Sequence, residues 1–567
     1  GAVPSGVEFK LAVVDGATGK VLAWEEGPNR VLTEPTELEA HWEEEEAGEP
    51  PSGGPQGARP LHSDAATAGS TPQHQPAESH GEGSLGGVPE WAANAVWYQI
   101  YPLGAFGCPA ENNHEGEPSR ALAEGMGRLM EHLQALGVGC VMFNPLFESD
   151  GHGYDTTDYR AVDRRLGSVE DMRAVVEELH ARGIRVVLDG VFNHTGRNHP
   201  AFQQCVREGL DSPTANWYLL RPGTSAFGDP FEYDSWEGHA NLPVLNLQEP
   251  GVRSMVFEAA EFWLRDVGVD GWRLDVAHEI SPAFWRDFAA VCRAAKADCV
   301  LVGELIHGDY KERVGPGLLD SATNYQLSKA LWSSLNDGNY FELAHCLQRS
   351  RAEYAGLGPL LEFIGNHDVT RLASRLACPE HLELGTAALL LAVGGMPCLY
   401  YGDELGMQGR STKDGGSGCD ADVRLPMPHP TLPGSDGTDR ASRLFHAVSE
   451  MLRVRRSNAA LTGNGSAEVS AVSNGQLAVA RRSGSSVAMV LFNCEAHAAD
   501  GGFPSWANFS ETGIPTGTTL TRVLAFSEGR PVSSGAEDTV EVLEGGRLRV
   551  SSPSGLPSRS VGVYTAN

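Results

Sequence analysis

A chain of 567 residues is too long for one hydrophobic core, and about two to four domains are expected. Its 41% hydrophobic and 8% aromatic content is that of a globular protein and excludes a wholly disordered one. A net charge of −31 argues against nucleic acid and anionic membranes as partners and suits an uncharged ligand.

In chain order, residues 1–33 read as two strands, VEFKLAVVD (7–15) and KVLAWEE (20–26), joined by a glycine-containing turn. Residues 34–90 carry the acid run EEEE (43–46) and then Pro, Gly, Ser and His, a composition that builds no core and reads as a disordered, self-repelling linker. From residue 95 the pattern changes. AVWYQIYPL (95–103), GVGCVMFNPL (137–146) and IRVVLDGVF (184–192) are apolar strands, with helical patterns at about 120–136 and 168–182. A stretch rich in Gly, Pro and aromatics follows, about 195–250. Then come GWRLD (271–275), LVGE (301–304), SATNYQ (321–326), LEFIGNHD (361–368) and GGMPCLYYGDE (394–404). Eight strands alternating with helices predict an α/β fold, a parallel (β/α)8 TIM barrel with an insert after its third strand. Past residue 457 short alternating strands, among them LAVARRSG and SVAMVLFN, predict a C-terminal antiparallel β-sandwich. The expected divisions are 1–36, 37–90, 91–456 and 457–567.

Ten cysteines are scattered without a CxxC or Cys/His cluster, so neither a metal site nor a disulfide framework is expected. Cys140 and Cys398 fall inside predicted strands and read as buried thiols, in keeping with a reducing compartment. No apolar run reaches membrane-spanning length.

Three of the strand strings deliver an acid: Asp275, Glu304 and Asp368. A barrel of this kind builds its site from strand C-termini, with about 30 residues per unit. Asp275 and Glu304 are 29 residues apart, one unit, and Glu304 and Asp368 are 64 apart, two units. They would close strands four, five and seven, and VVLDGVFNH would be strand three, ending at His194. Residues two apart in a strand share a face, so Arg273 and Asp275 point together into the barrel mouth. An arginine beside Asp275 is expected to lower its pKa and keep it ionised as a nucleophile, while Glu304 holds a proton as general acid. Such a pair cleaves glycosidic bonds with retention.

These strings carry a resemblance. DGVFNH, GWRLDVAHE, GEL and NHD occur in order, and the region 95–440 resembles the α-amylase superfamily of retaining α-glucan enzymes (glycoside hydrolase family 13-like). The resemblance implies Asp275 as nucleophile, Glu304 as acid/base and Asp368 as the acid that holds sugar hydroxyls. His194, His367 and Tyr154 then line the cleavage subsite, and Arg273 orients the nucleophile. Asp155 and Asp158, beside Tyr154, read as turn residues. Starch or maltooligosaccharide is the implied partner, and a covalent glycosyl-enzyme the implied intermediate.

Two departures bear on this. Superfamily members with a structural calcium use the motif asparagine, an insert aspartate and a histidine four residues past the nucleophile. Here Asn193 is present, but Val244 and Glu279 stand at the other two positions, so no cofactor is required and calcium lacks its usual ligand set. The string LPVLN (242–246) is similar to neopullulanase and cyclomaltodextrinase-like members, which also transfer sugars. Residues 7–30 resemble part of a glucoamylase-type starch-binding module, with Lys10, Trp24 and Asn29 matching one sugar site. Three functions are thereby open: an α-1,4-glucan hydrolase, a glucanotransferase on the same acids, and a non-catalytic glucan-binding barrel. Presence of all three acids with Arg273 disfavours the last. A plastid or cytoplasmic setting is the expectation for such an enzyme.

Overall fold

The structure is a computed structural model. It describes residues 87–566 with gaps at 417, 429–438, 499–513, 529, 533–536, 545–546 and 552–555, and, before them, four short strands. The chain divides into two units, residues 1–79 and 80–567. In the first, Ala12–Val14 pairs antiparallel with Val21–Trp24, and Glu8–Phe9 with Arg30–Val31. Trp24 ends a strand there, while Lys10 and Asn29 lie outside the described residues.

The second unit opens with the barrel. Its strands are β1 (Trp97–Ile100), β2 (Cys140–Phe143), β3 (Arg185–Gly190), β4 (Gly271–Leu274), β5 (Val300–Gly303), β6 (Ser321–Ala322), β7 (Leu361–Phe363) and β8 (Met396–Tyr400). All pair in parallel, in the order β6-β5-β4-β3-β2-β1-β8-β7. A parallel bridge between Thr323 and Leu361 joins β6 to β7 and closes the ring. Gly271 is required where β4 passes β5, because a Cβ there would lie 2.2 Å from the Val300 carbonyl oxygen.

Helices alternate with the strands: α1 (Ala121–Leu136), α2 (Val169–Ala181), α3 (Pro250–Phe262), α4 (Pro282–Ala295), α5 (Tyr325–Asn336), α6 (Tyr340–Glu353) and α7 (Leu382–Ala387). The last runs on as one wide turn, Ala388–Ala392. Their starts follow from local chemistry. Ser168 accepts the Asp171 amide at α2 while Asp171 accepts the Ser168 amide, satisfying two donors a helix start leaves free. The Asn324 side chain accepts the Leu327 amide (3.1 Å) and begins α5. That cap corrects the expectation of a strand over 321–326: only Ser321–Ala322 is strand, and Tyr325 opens a helix. Between β3 and α3 lie a helix (Pro200–Glu208) and a two-residue hairpin, Leu220–Arg221 against Glu232–Tyr233.

After α8 (Arg440–Ser457) the chain is antiparallel β: β9 (Ser466–Val472), β10 (Gln476–Ser483), β11 (Ser486–Asn493), β12 (Thr519–Ser527), β13 (Arg530–Pro531), β14 (Thr539–Val542), β15 (Leu548–Ser551) and β16 (Ser560–Thr565). Among the described residues these form one hydrogen-bonded sheet, β9-β10-β11-β16-β12-β14-β15, with β13 beside β12. Alternation divides its side chains. Val479, Val490, Phe492 and Val563 join the core that also holds the barrel helices. Ala478, Met489, Leu520, Val540 and Tyr564 form a second core, in which strands from both ends of the sheet meet.

Two buried arginines fasten this sheet to the barrel. Arg481 of β10 donates to the carbonyls of Leu391 (2.9 Å), Val393, Ser466 (2.8 Å), Thr462 (2.8 Å) and Gly465 (3.3 Å). Arg455 of α8 donates to Leu390 (2.6 Å) and Gly395 (3.2 Å). The carbonyls of Leu390, Leu391 and Val393 are those a helix end leaves without partners. Among the described residues no helix is long and apolar enough to cross a membrane.

Candidate active site

Inward-facing strand residues build the site by continuing one alternation. Trp97, Cys140, Met142, Val187, Val302, Phe363 and Cys398 fill the barrel interior. One step nearer the C-terminal ends, the same parity presents Gln99, Asn144, Asp189, Arg273, Asp275 and Glu304, all buried. The apolar plug thus gives way to a polar floor, as the barrel architecture allows only at its loop-bearing end.

Arg273 is the centre of that floor. Its Nη1 donates to Asp275 Oδ1 (2.7 Å) and to both oxygens of Asp189 (2.8 and 3.0 Å), and its Nη2 reaches Glu304 Oε1 (2.5 Å). Glu304 also accepts the Tyr325 hydroxyl on Oε1 (2.8 Å) and the Val276 amide on Oε2 (3.1 Å). Val276, directly after Asp275, has φ +38°, a left-handed conformation that β-branched residues rarely adopt. The strain turns its N–H onto Glu304.

Charge in this cluster differs from the sequence expectation. Burial pushes the Asp275 carboxyl well above the usual carboxylate range; Arg273 opposes, but the charges of Glu304 and Asp189 push upward again. Arg273 was expected to hold Asp275 low. It cannot, because one cation is shared by three carboxyl groups in a site without bulk water. Asp189, also raised first by burial, is the third member, and the strand string hid it.

Asp368 and His367 lie on the loop past β7. Asp368 Oδ1 accepts Arg424 Nη2 (2.9 Å), and its Oδ2 is 2.9 Å from His367 Nε2. Burial alone would raise Asp368; His367 and Arg424 outweigh it and hold the carboxyl well below the usual range. Its side chain is 36% exposed, against 8% for Asp275 and 4% for Glu304, so of these three acids Asp368 is the most open to a ligand. His367 Nδ1 faces the amides of Gln99 (3.0 Å) and Asn144 (3.2 Å), which places the ring proton on Nε2. The Tyr154 ring stacks beside His367 (5.4 Å, 6° between planes), and its hydroxyl meets His367 Nε2 and Asp189 Oδ2 (3.0 Å).

His194 stands past β3, 1% exposed, and burial lowers its pKa to about 3, leaving it neutral. Neither of its ring nitrogens has a partner in hydrogen-bonding geometry among the described residues; the Tyr154 backbone lies alongside without meeting that geometry. Trp236, from the insert, stacks on it (5.7 Å). All seven residues expected at the barrel mouth therefore lie on strand ends or the loops beyond them. Gln99, Asn144, Asp189, Trp236, Val276, Tyr325 and Asn366 were not foreseen. Asp155 accepts the Gly153 amide (3.1 Å) at a bend, as expected of a turn residue, whereas Asp158 lies within the strand Thr156–Val162 and accepts the Arg160 amide (2.8 Å).

At the place where the resemblance would put calcium, Asn193 Nδ2 donates to Glu279 Oε2 (3.0 Å) and the Asn193 carbonyl accepts the Leu245 amide (2.9 Å). Val244 pairs with His194 in an isolated bridge. These contacts do not present the expected ligand set, and no step below passes through a metal.

Acids converging at the mouth of a (β/α)8 barrel, with an arginine bound to two of them, are the equipment of a glycoside hydrolase. Comparison with known proteins agrees. Residues 122–441 match the α-amylase catalytic domain. A cyclomaltodextrinase of Bacillus sp. is 31% identical over 426 residues, 71% of this chain and 73% of the relative. A maltogenic α-amylase of Bacillus acidopullulyticus is 31% identical over 350 residues, 57% of this chain and 58% of the relative. Among solved structures, the cyclic α-maltosyl-(1→6)-maltose hydrolase of Arthrobacter globiformis superposes with a TM-score of 0.63 at 30% identity, covering 73% of this chain and 94% of that one. The protein belongs to the α-amylase family.

Proposed function

We propose that the protein is a retaining hydrolase of α-1,4-glucosidic bonds in starch and maltooligosaccharides. The observation that carries this is Arg273, whose two terminal nitrogens bind Asp275 and Glu304 separately. Carboxyl groups on adjacent nitrogens of one guanidinium fit the close pair, about 5–5.5 Å apart, that retention requires.

In the first step Asp275 attacks the anomeric carbon as Glu304 gives its proton to the departing glycosidic oxygen, so the C–O bond breaks as the glycosyl-enzyme ester forms. In the second, Glu304 takes a proton from water, which displaces Asp275 with the original anomeric configuration. Burial raises both Asp275 and Asp189, which favours keeping a proton in the cluster around Arg273. Asp368, held ionised and the most exposed of the three acids, offers an acceptor to sugar hydroxyls. Tyr154 presents an aromatic ring to the same sugar. A sugar hydroxyl in place of water gives glucan transfer on the same residues, the second reading. Resemblance of residues 7–30 to a starch-binding module supports a separate glucan site at Lys10, Trp24 and Asn29.

The test is digestion of soluble starch, maltooligosaccharides and a cyclic maltodextrin by the wild type and by Asp275→Asn, with products separated and their anomers read by NMR. New reducing ends first released as the α-anomer, and activity reduced roughly a thousandfold or more in the variant, are expected. First release of the β-anomer would exclude retention, and chain-length redistribution without new reducing ends would make the enzyme a transferase.

A further inference from the structure

We propose that Tyr325 is a positioning residue for the acid/base: its hydroxyl fixes one oxygen of Glu304 as permanent acceptor and leaves the transferable proton to Oε2. This rests on the reading of Glu304 as acid/base.

The argument is one of donors and lone pairs. Asn366 accepts the amides of Asp368 (2.8 Å) and Val369 (3.1 Å) on its side-chain oxygen. That orientation turns its Nδ2 toward the Tyr325 oxygen (3.3 Å). An amide nitrogen can only donate, so the phenol oxygen accepts there, and the one phenolic proton is directed to Glu304 Oε1 (2.8 Å). Oε1 also lies 2.5 Å from Arg273 Nη2, an ion-pair contact whose positive charge disfavours a proton on that oxygen. Among the described residues Oε2 receives only the Val276 amide (3.1 Å) and keeps one lone pair. The proton that Glu304 delivers and recovers therefore sits on Oε2. Packing holds the phenol in place: its ring lies edge-on to Phe363 of β7 (4.8 Å, 79°). The bridge Glu304–Tyr325–Asn366 also ties the acid/base to the loop that carries Asp368.

A fixed donor on Oε1 favours the carboxylate form of Glu304, the form needed as base in the second step. Tyr325→Phe removes that donor together with the acceptor of Asn366 Nδ2. The alkaline limb of its kcat/KM profile is expected to move up by about one pH unit. With an activated aryl α-maltoside, whose departure needs little acid help, kcat is expected to fall about tenfold or more, with a pre-steady-state burst as the glycosyl-enzyme accumulates. If Tyr325→Phe folds poorly, 3-fluorotyrosine at position 325 gives the converse measurement: a stronger donor moves the alkaline limb to lower pH. Glu304→Gln, measured alongside, separates the two levels. Full activity in Glu304→Gln overturns the proposed function itself. Inactivity there, with an alkaline limb unmoved in Tyr325→Phe and in the fluorotyrosine protein, overturns the role of Tyr325 alone.

Discussion

Arg273 and the pair Arg455 and Arg481 are equally deep, at 2%, 1% and 0% exposure, but their surroundings are opposite. Arg273 is bonded to Asp189, Asp275 and Glu304. Arg455 and Arg481 donate to backbone carbonyls, and no carboxylate pairs with either among the described residues. Burial would lower Arg273, but Asp189 and Glu304 more than reverse it. Burial lowers Arg455, with Arg481 adding repulsion, and burial takes Arg481 down to about 9. The difference lies in the acceptors. Carboxyl groups gain and lose protons, so one cation among three of them leaves charge to redistribute during a reaction. Carbonyls do neither, so the second arrangement is a fixed joint between β10, α8 and the turn after α7.

The comparison breaks most readily at Arg273. Arg273→Met leaves three carboxyl groups without their cation, and kcat/KM is expected to fall roughly 10²–10³-fold. A variant that kept wild-type kcat/KM would show the cation to be structural, like the other two. At the joint the expected effect is on stability. Arg481→Met strands several carbonyls, at about 1–3 kcal/mol for each left unsatisfied, so denaturant unfolding should register a loss of about 3 kcal/mol or more. Turnover per folded molecule should stay unchanged, and a drop in it would mean that the joint reaches the site.

Glu362 on β7 sharpens the contrast, because it is a buried acid with no cation beside it among the described residues. It is 6% exposed, its Oε1 has Asn324 Nδ2 at 3.4 Å, and its Oε2 has no partner among the described residues. Burial raises its pKa to about 8. A folded value above the unfolded one, about 4.3, means stability is fullest below pH 4.3 and is lost as pH rises toward 8, by about 1.4 kcal/mol per unit. Glu362→Gln removes that slope. Its melting temperature should match the wild type near pH 4.5 and exceed it increasingly up to pH 8. Parallel melting curves across this range would rule the account out.

Much of this site could be read in the sequence, for a physical reason. Strand ends deliver side chains on a two-residue period, so Asp275, Glu304 and the shared face of Arg273 follow from spacing. What could not be read depends on neighbours far along the chain. Asp189 lies 84 residues before Arg273 and looks like one more residue of an apolar strand. The left-handed turn at Val276 has no sequence sign, since valine argues against it. Tyr325 sits in a string that reads as a strand, and only the Asn324 cap marks it as the start of a helix. In the C-terminal region the strings LAVARRSG, SVAMVLFN, LRVSS and SVGVYTA fall on β10, β11, β15 and β16, whereas Ser466–Val472, Thr519–Ser527 and Thr539–Val542 are strands that no string marks out. The lowered Asp275 fails as an expectation chiefly because burial raises the carboxyl, and the charges of Glu304 and Asp189 add to that against Arg273.

Asp368 meets its partner Arg424 across 56 residues, and between them lies β8, whose pairing with β1 joins the first strand of the barrel to its last. During synthesis, a nascent chain that has emerged through Asp368 already contains every acid of the site but neither β8 nor Arg424. Its sheet is still an open ribbon, and its carboxyl groups have no enclosed mouth to serve. Competence to act on a sugar therefore waits on two later segments, β8, which closes the ring, and then Arg424, 24 residues past its end.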